Sequence, residues 1–487
     1  MADLEKERWE RLLKWLKQEH GMKTDALRIE ARDVPAADAG RGLFATAEIL
    51  PSSTLFEIPR TALINVKTVL ARFPHVKEGR LTGTQLVSLY LLLHKPSGDA
   101  DSLDRTFGPY ISTLPRDFSS HPLTWLVNRK LKKADPCGSY FLDQVPPSTW
   151  ESIIKLNKRF WKDWDAVVKF MKDEPAVVAS SSRPDLKTAK ALDDNDMLLD
   201  YLWAWLNVNT RCIFCRLQQS PSHPDNFTLC PILDFANHGT GLTHIFPVTD
   251  SDIWGSPKQH RRDSRAQIKT NMFTFLGSSD YGLAEGQELL LKYGAHPNRF
   301  LFTEYGFVNP LTDGAVATST YSAEVDLQDL VEELIEKTGS VAPLIKSTLD
   351  EGGYWGDWTL HSSPNSAFPS YRLISALRLV CALERYSGET TMQTRLAIDS
   401  WLDVTNGSKD TISRVNEDAW RKKLLWLCET VRYRARKDRM SALDAASLPQ
   451  GGPAWVPWQS ESVRTLWKEE LEVAEAVLAN IQAGVEF

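Results

Sequence analysis

The sequence predicts an α+β protein in which two β segments of short strands flank a helical insert, with an all-α C-terminal domain behind them. Three observations carry this. Hydrophobic spacing is strand-like from Ala26, helical from about Thr68, strand-like again from Leu229 and helical after Ser322. Pro35, Gly40, Gly42, Pro51 and Pro59 interrupt the first segment too often for a helix of ordinary length. Neither β segment has strands enough to close a core alone, so the two must meet in space. The resulting division is an N-terminal helix at 1–21, β segments at 22–67 and 201–312, the insert at 68–200 and the helical domain at 320–487.

Each element has a local reason. Leu4, Leu12, Leu13 and Leu16 share a helical face, and Gly21 stops that helix. ALRIEA, GLFATAEI, TLFEIP and ALIN are the short runs of the first β segment. In the insert, LTGTQLVSLYLLLH reads as a buried helix and Pro96–Arg105 as a polar loop. Ser148 to Lys172 is an amphipathic helix, with Ser148 and Glu151 in capping-box spacing. Asp173–Asp196 reads as an exposed loop, and Met197–Val208 as helix. The second β segment contains LCPILDF, AQIKTNMFTFLG and QELLLKYG, with a basic polar insert at Gly255–Arg265. Glu324–Lys337, Tyr371–Arg385, Glu417–Arg436 and Ser462–Ala483 supply the helices of the C-terminal domain, and Ser441–Trp458 is an irregular connection. No fixed repeat is present, which disfavours a solenoid.

Composition excludes several classes. At 42% hydrophobic and 25% charged residues the 487-residue chain has enough apolar surface to fold. A net charge of −6 argues against a nucleic-acid binder overall. The longest strongly apolar run, Leu86–Leu93, is far below the roughly 20 residues of a membrane span. Six scattered cysteines suggest reduced thiols and a nuclear or cytoplasmic protein.

Four motifs bear on chemistry. Gly40 to Ala45 fits GxGxxA, but its strand-rich flanks and Pro51 argue against a dinucleotide fold. A tight turn that lets backbone approach a ligand, or a plain hairpin turn, remains. Cys212 and Cys215 lack the second close pair that a structural zinc needs, so buried thiols are the simpler reading. Asp234-Phe-Ala-Asn237-His238 follows an apolar run, where polar residues often line sites, although a single histidine there also serves structure. The Tyr–Gly corners at Tyr293 and Tyr305 suit a core or an aromatic channel for a cation.

Together GRGLFATAEI (Gly40–Ile49), WLNVNTR (Trp205–Arg211), DFANH (Asp234–His238), EGQELLLKYG (Glu285–Gly294) and YGFV (Tyr305–Val308) resemble the SET-domain lysine methyltransferases. Their order and spacing resemble the Rubisco large-subunit methyltransferase subclass, which includes fungal ribosomal-protein lysine methyltransferases. The resemblance covers roughly residues 22–440 and is weaker toward the end. It implies a SET β-fold of small sheets with a knot-like crossing, split by the insert and followed by a helical substrate-binding domain. The chain departs from the family in having Gly239 after the Asn–His pair, and it lacks the Cys-rich zinc segment of histone-type enzymes.

The resemblance implies S-adenosylmethionine (AdoMet) as cofactor, a non-histone protein as substrate, a ribosomal protein as the class suggested by the subclass, and no metal; the chain is further expected to be a monomer and, from its short apolar runs, to have no membrane partner. It puts Ala39, Gly40 and Arg41 on the cofactor through backbone groups, with Arg211, Asn237 and His238 at its polar ends. It puts Tyr293 at the methyl-transfer point, Tyr305 and Phe307 along the lysine channel, and carbonyls near Thr210 and Asp234 on the amine. A catalytically silent SET-fold binding module is the alternative. The intact Tyr293, Asn237, His238 and Arg211 favour the enzyme.

Overall fold

The computed structural model describes residues 2–34, 40–183, 185–187, 195–239, 243–248, 272–311, 323–363, 366–386, 391–442 and 452–487. The first part of the chain runs α1 (Ala2–His20), β1 (Ile29–Asp33), β2 (Arg41–Ala45), β3 (Thr54–Pro59), α2 (Val66–Leu70), α3 (Gly83–Leu93), α4 (Gly108–Ile111) and α5 (Pro122–Lys130). Then come α6 (Pro136–Leu142), α7 (Pro147–Asp173), α8 (Pro175–Ala179), α9 (Asn195–Arg211), β4 (Ile213–Phe214), β5 (Phe227–Thr228), β6 (Phe246–Pro247), β7 (Met272–Leu276) and β8 (Glu288–Leu289). The chain continues through α10 (Asn298–Tyr305), β9 (Ala323–Asp326), α11 (Gln328–Glu336), α12 (Ala342–Glu351), β10 (Thr359–Ser363), β11 (Ser366–Pro369), α13 (Tyr371–Leu383), α14 (Met392–Thr405), α15 (Arg414–Ala442) and α16 (Val456–Gln482). The basic insert at 255–265 lies outside the described residues.

These elements form two compact units, Met1–Lys133 with Leu156–Gly294, and Ala134–Lys155 with Ala295–Phe487. In the first, strands from both β segments interleave. β2 pairs antiparallel with β1 and with β8, placing Phe44 opposite Glu288, and β7 lies between β3 and β6. Isolated bridges join Ile49 to Leu283, Ile64 to Leu229 and His238 to Leu291. Of the α3 residues only Thr84 escapes burial, which suits a central helix, and α3 packs against α9. Its N-terminus is closed by a capping box of Thr82 and Gln85. Gln85 and Trp205 both donate to the buried Asp163 carboxylate, at 2.8 and 2.9 Å, so that charge is hydrogen-bonded inside the core.

Several sequence expectations need correction here. LCPILDF is not a strand. Pro231 has no N–H for a ladder, and Ile232 has φ +70°, so the chain turns and makes one 3₁₀ turn at Leu233–Phe235. The expected loop 173–196 contains α8, opened by Pro175 and anchored by buried Val177, and a 3₁₀ turn at Asp185–Lys187. Residues 298–305, assigned to a β-rich stretch, form α10, which ends at left-handed Gly306.

The second unit is mostly helical, with its own core around Trp358, Trp401, Trp420, Leu424 and Leu427, all fully buried. α15 and α16 pack together, and α13 packs on α14 and α15. Arg378 grips Glu417 with two bonds of 2.8 and 2.9 Å, and Trp420 donates to the same carboxylate at 2.7 Å. The domain is not all-helical: β11, β10 and β9 make a three-stranded antiparallel sheet in that order. Its strands have only four or five residues, and β9 runs almost directly into α11, so its alternation is absorbed into the helical pattern. The capping box at Ser148 is not made. α7 begins at Pro147, and the Ser148 hydroxyl donates to Glu470 at 2.5 Å.

Candidate active site

The site is built from the β1–β2 hairpin, the end of α9, the 232–239 turn and the segment after β8, all in the first unit. The hairpin closes with Val34 N–H donating to the Gly40 carbonyl at 2.9 Å. Gly40 has φ +61°, a conformation that favours glycine, and nothing lies within 4 Å of where a Cβ would stand. That open side lets a ligand approach the backbone. Ala39 lies outside the described residues.

The Arg41 side chain is spent on structure. It pairs with Glu5 of α1 at 3.1 Å, donates to the Ala31 carbonyl and stacks over Phe235 at 4.9 Å. Trp9 of α1 meets the same Phe235 edge-on at 5.4 Å. Burial pulls the Arg41 guanidinium below its usual pKa, against the charges of Glu5, Asp33 and Asp234. The Asn237 amide donates to the Arg41 carbonyl at 3.3 Å.

After the Ile232 turn, residues 237–239 run parallel to Leu291. Leu291 N–H donates to the Asn237 carbonyl at 2.8 Å and Gly239 N–H to the Leu291 carbonyl at 3.1 Å. This pairing brings Tyr293 to the loop. Tyr293 N–H donates to His238 Nδ1 at 3.2 Å, and its hydroxyl donates to the Ala236 carbonyl at 2.8 Å. Because Nδ1 accepts, a neutral His238 carries its proton on Nε2. The two rings lie 5.1 Å apart. Asn237, His238 and Tyr293 are thus brought together as the motifs implied.

Arg211 ends α9. One of its terminal nitrogens donates to the Asp234 carbonyl, while its Nε is buried without a partner. Asp234 Oδ2 accepts from the Tyr110 hydroxyl at 3.3 Å, and Oδ1 is buried without a partner. Burial pushes the Asp234 carboxyl up to about 6, against Arg211, Tyr110 and Arg41. The Thr210 hydroxyl donates back to the Leu206 carbonyl at 2.8 Å, so the group that Thr210 can offer is its carbonyl in the last helical turn. Tyr305 and Phe307 belong to the second unit, where their rings lie 6.0 Å apart and the Gly306 carbonyl between them accepts from Gln459 at 2.8 Å.

Three neighbours were not singled out in the sequence. Glu288 accepts the Asn237 amide at 2.7 Å, although it stands within a quoted motif. Glu5 and Tyr110 come from helices that carry no motif. Among the described residues no group of three or more His, Cys, Asp or Glu is placed to hold a metal ion. Burial pushes the Cys212 and Cys230 thiols well above their usual range, which keeps them protonated.

The residues fit AdoMet. The orphaned Arg211 Nε is a donor suited to a carboxylate, the orphaned Asp234 Oδ1 an acceptor suited to an ammonium, and Gly40 leaves its backbone approachable.

Comparison with known proteins points the same way. The chain is 25% identical over 308 residues to ribosomal lysine N-methyltransferase 2 of Saccharomyces cerevisiae, covering 61% of this chain and 57% of that protein, little more than half its length. It is 26% identical over 399 residues to ribosomal lysine N-methyltransferase set11 of Schizosaccharomyces pombe, covering 80% and 81% of the two chains. SET domain-containing protein 4 of Mus musculus is 23% identical, with 97% and 91% covered. No family model matches. Among solved structures, Rubisco LSMT bound to AdoMet aligns with a TM-score of 0.56 at 16% identity, covering 98% of this chain and 92% of that one. The chain therefore has the SET fold of the Rubisco LSMT kind, and its sequence relatives carry the names of SET-domain proteins and lysine methyltransferases.

Proposed function

We propose that the chain is an AdoMet-dependent protein-lysine N-methyltransferase whose substrate is a non-histone protein, in the first instance a ribosomal protein. The observation that carries this is the fixing of the Tyr293 hydroxyl on the Ala236 carbonyl, beside His238, in the same unit as the Gly40 hairpin and the Arg211–Asp234 contact. The substrate class is supported by the names of the two yeast relatives. A nuclear or cytoplasmic site of action suits six cysteines of which none is in a disulfide.

Arg211, Asn237, His238 and the backbone at Gly40 and Arg41 hold AdoMet in this reading, which when bound supplies an electrophilic methyl group. The protein's contribution is alignment, the main requirement of an in-line displacement. The Tyr293 hydroxyl, already donating to Ala236, directs its oxygen lone pairs away from that bond, where they accept weak C–H···O contacts. The carbonyls of Thr210 and Asp234 orient the incoming amine. Lysine must arrive neutral, which from a pKa of about 10.4 costs roughly 4–5 kcal/mol at pH 7. An aromatic, water-poor channel lowers that cost by penalising the ammonium form. No dedicated general base is then required.

Calorimetry of AdoMet with the purified chain tests this reading. Saturable binding that Arg211→Ala weakens at least tenfold is expected. Absence of binding would contradict it, and binding without transfer to any protein would favour the silent module.

A further inference from the structure

Asp234 is tied at both ends. Its backbone carbonyl receives Arg211 from α9, and its side chain receives Tyr110 from α4 of the insert. Tyr110 is fully buried and has no motif around it, so its hydroxyl is kept in the core for this contact. The strained Ile232 turn just before Asp234 gives the 233–238 stretch its course, with Asp234 N–H on the Cys230 carbonyl at 3.2 Å and Ala236 N–H on the Leu233 carbonyl at 2.9 Å. The groups facing the carboxylate are Arg211 from α9, Arg41 from β2, Tyr110 from α4, and the protonated thiols of Cys212 and Cys230. A buried carboxylate among these has two arginines to balance and one oxygen still unpartnered.

We propose that the Asp234 side chain, anchored by Tyr110, is a cofactor-binding residue whose unpartnered Oδ1 and negative charge serve the cationic groups of AdoMet. This rests on the methyltransferase reading above, because it concerns the same pocket. It assigns the helical insert a part in cofactor binding, through a residue that no SET motif contains.

The sign of its pH dependence follows from the geometry. The carboxyl is held above its ordinary range by burial, so it loses its charge as pH falls through about 6. AdoMet has one more positive than negative charge at neutral pH, so losing a nearby anion weakens its binding. The Tyr110 hydrogen bond favours the ionised form, so its removal raises the pH at which affinity is lost.

The test is AdoMet affinity by calorimetry between pH 5 and 7.5, for wild type, Asp234→Asn and Tyr110→Phe, with the fold checked by circular dichroism at each pH. Wild-type affinity should fall roughly five- to tenfold from pH 7 to pH 5. Asp234→Asn should be weaker at pH 7 and lose that fall, while Tyr110→Phe should shift its midpoint upward. Parallel pH curves for wild type and Asp234→Asn would overturn the proposal. Should Asp234→Asn not fold, an unshifted midpoint in Tyr110→Phe would overturn it equally. No AdoMet binding by wild type at pH 7.5 would overturn the methyltransferase reading itself, a result distinct from binding with an unaltered pH curve.

Discussion

At the scale of residues, Asn237 is the hub of the pocket: its amide serves the Arg41 carbonyl and Glu288, and its carbonyl takes the Leu291 N–H. Asn237→Ala removes one partner of part-buried polar contacts, which costs about 1–3 kcal/mol, so the AdoMet Kd should rise roughly 5- to 150-fold. An unchanged Kd in a folded variant would take Asn237 out of the cofactor site. Gly42 makes a second, independent check. A Cβ there would run into Glu288 Oε1 and stand 3.1 Å from Asn237 Nδ2, so Gly42→Ala should swing the carboxylate aside and weaken AdoMet binding several-fold. Wild-type affinity in that variant would show that Glu288 does not orient the amide. Asn237, His238 and Tyr293 were legible in the sequence because they sit in contiguous motifs whose residue types suit the chemistry. Glu288 was not, since a glutamate after Glu285-Gly-Gln reads as ordinary turn and strand, and Tyr110 became visible only when the fold set it against Asp234.

At the scale of elements, the first turn of α7 shows how tertiary contacts override a local signal. Ser148 and Glu151 have capping-box spacing, yet the serine is buried and turned onto Glu470 of α16. Burial lifts Glu470 to about 7, with Asp329 adding to the shift and Ser148, Arg299 and Arg434 opposing it. The folded chain then binds more protons than the unfolded one between about pH 4.5 and pH 7, so this group's contribution makes the protein less stable as pH rises through that window. Glu470→Gln removes the buried charge and should raise stability at pH 8 by about 1–3 kcal/mol, with little effect at pH 5, in denaturant titrations. Equal effects at the two pH values, or a loss at pH 8, would contradict this account. The same competition explains LCPILDF, whose apolar run promised a strand that Pro231 and the Ile232 backbone forbid.

At the scale of the whole molecule, the α+β class and the interleaving of two distant β segments were legible, because periodicity marked both and neither could close a core alone. The sheet in the C-terminal unit was not, because strands of four and five residues beside long helices leave little alternation to detect. The motifs from Gly40 to Tyr293 lie in the first unit, while the second has a separate core and only the Tyr305–Phe307 pair. The central claim is that the pocket around Tyr293 passes a methyl group from AdoMet to a protein lysine. Its most direct test is transfer of labelled methyl from AdoMet to an undermethylated lysate by wild type and Tyr293→Phe, with mass spectrometry of the labelled band and AdoMet affinity measured alongside. Wild type is expected to leave methyl-lysine in a defined protein, and Tyr293→Phe to retain AdoMet binding while losing most turnover. Turnover of Tyr293→Phe within about twofold of wild type, a difference in barrier of only about 0.4 kcal/mol, would contradict it.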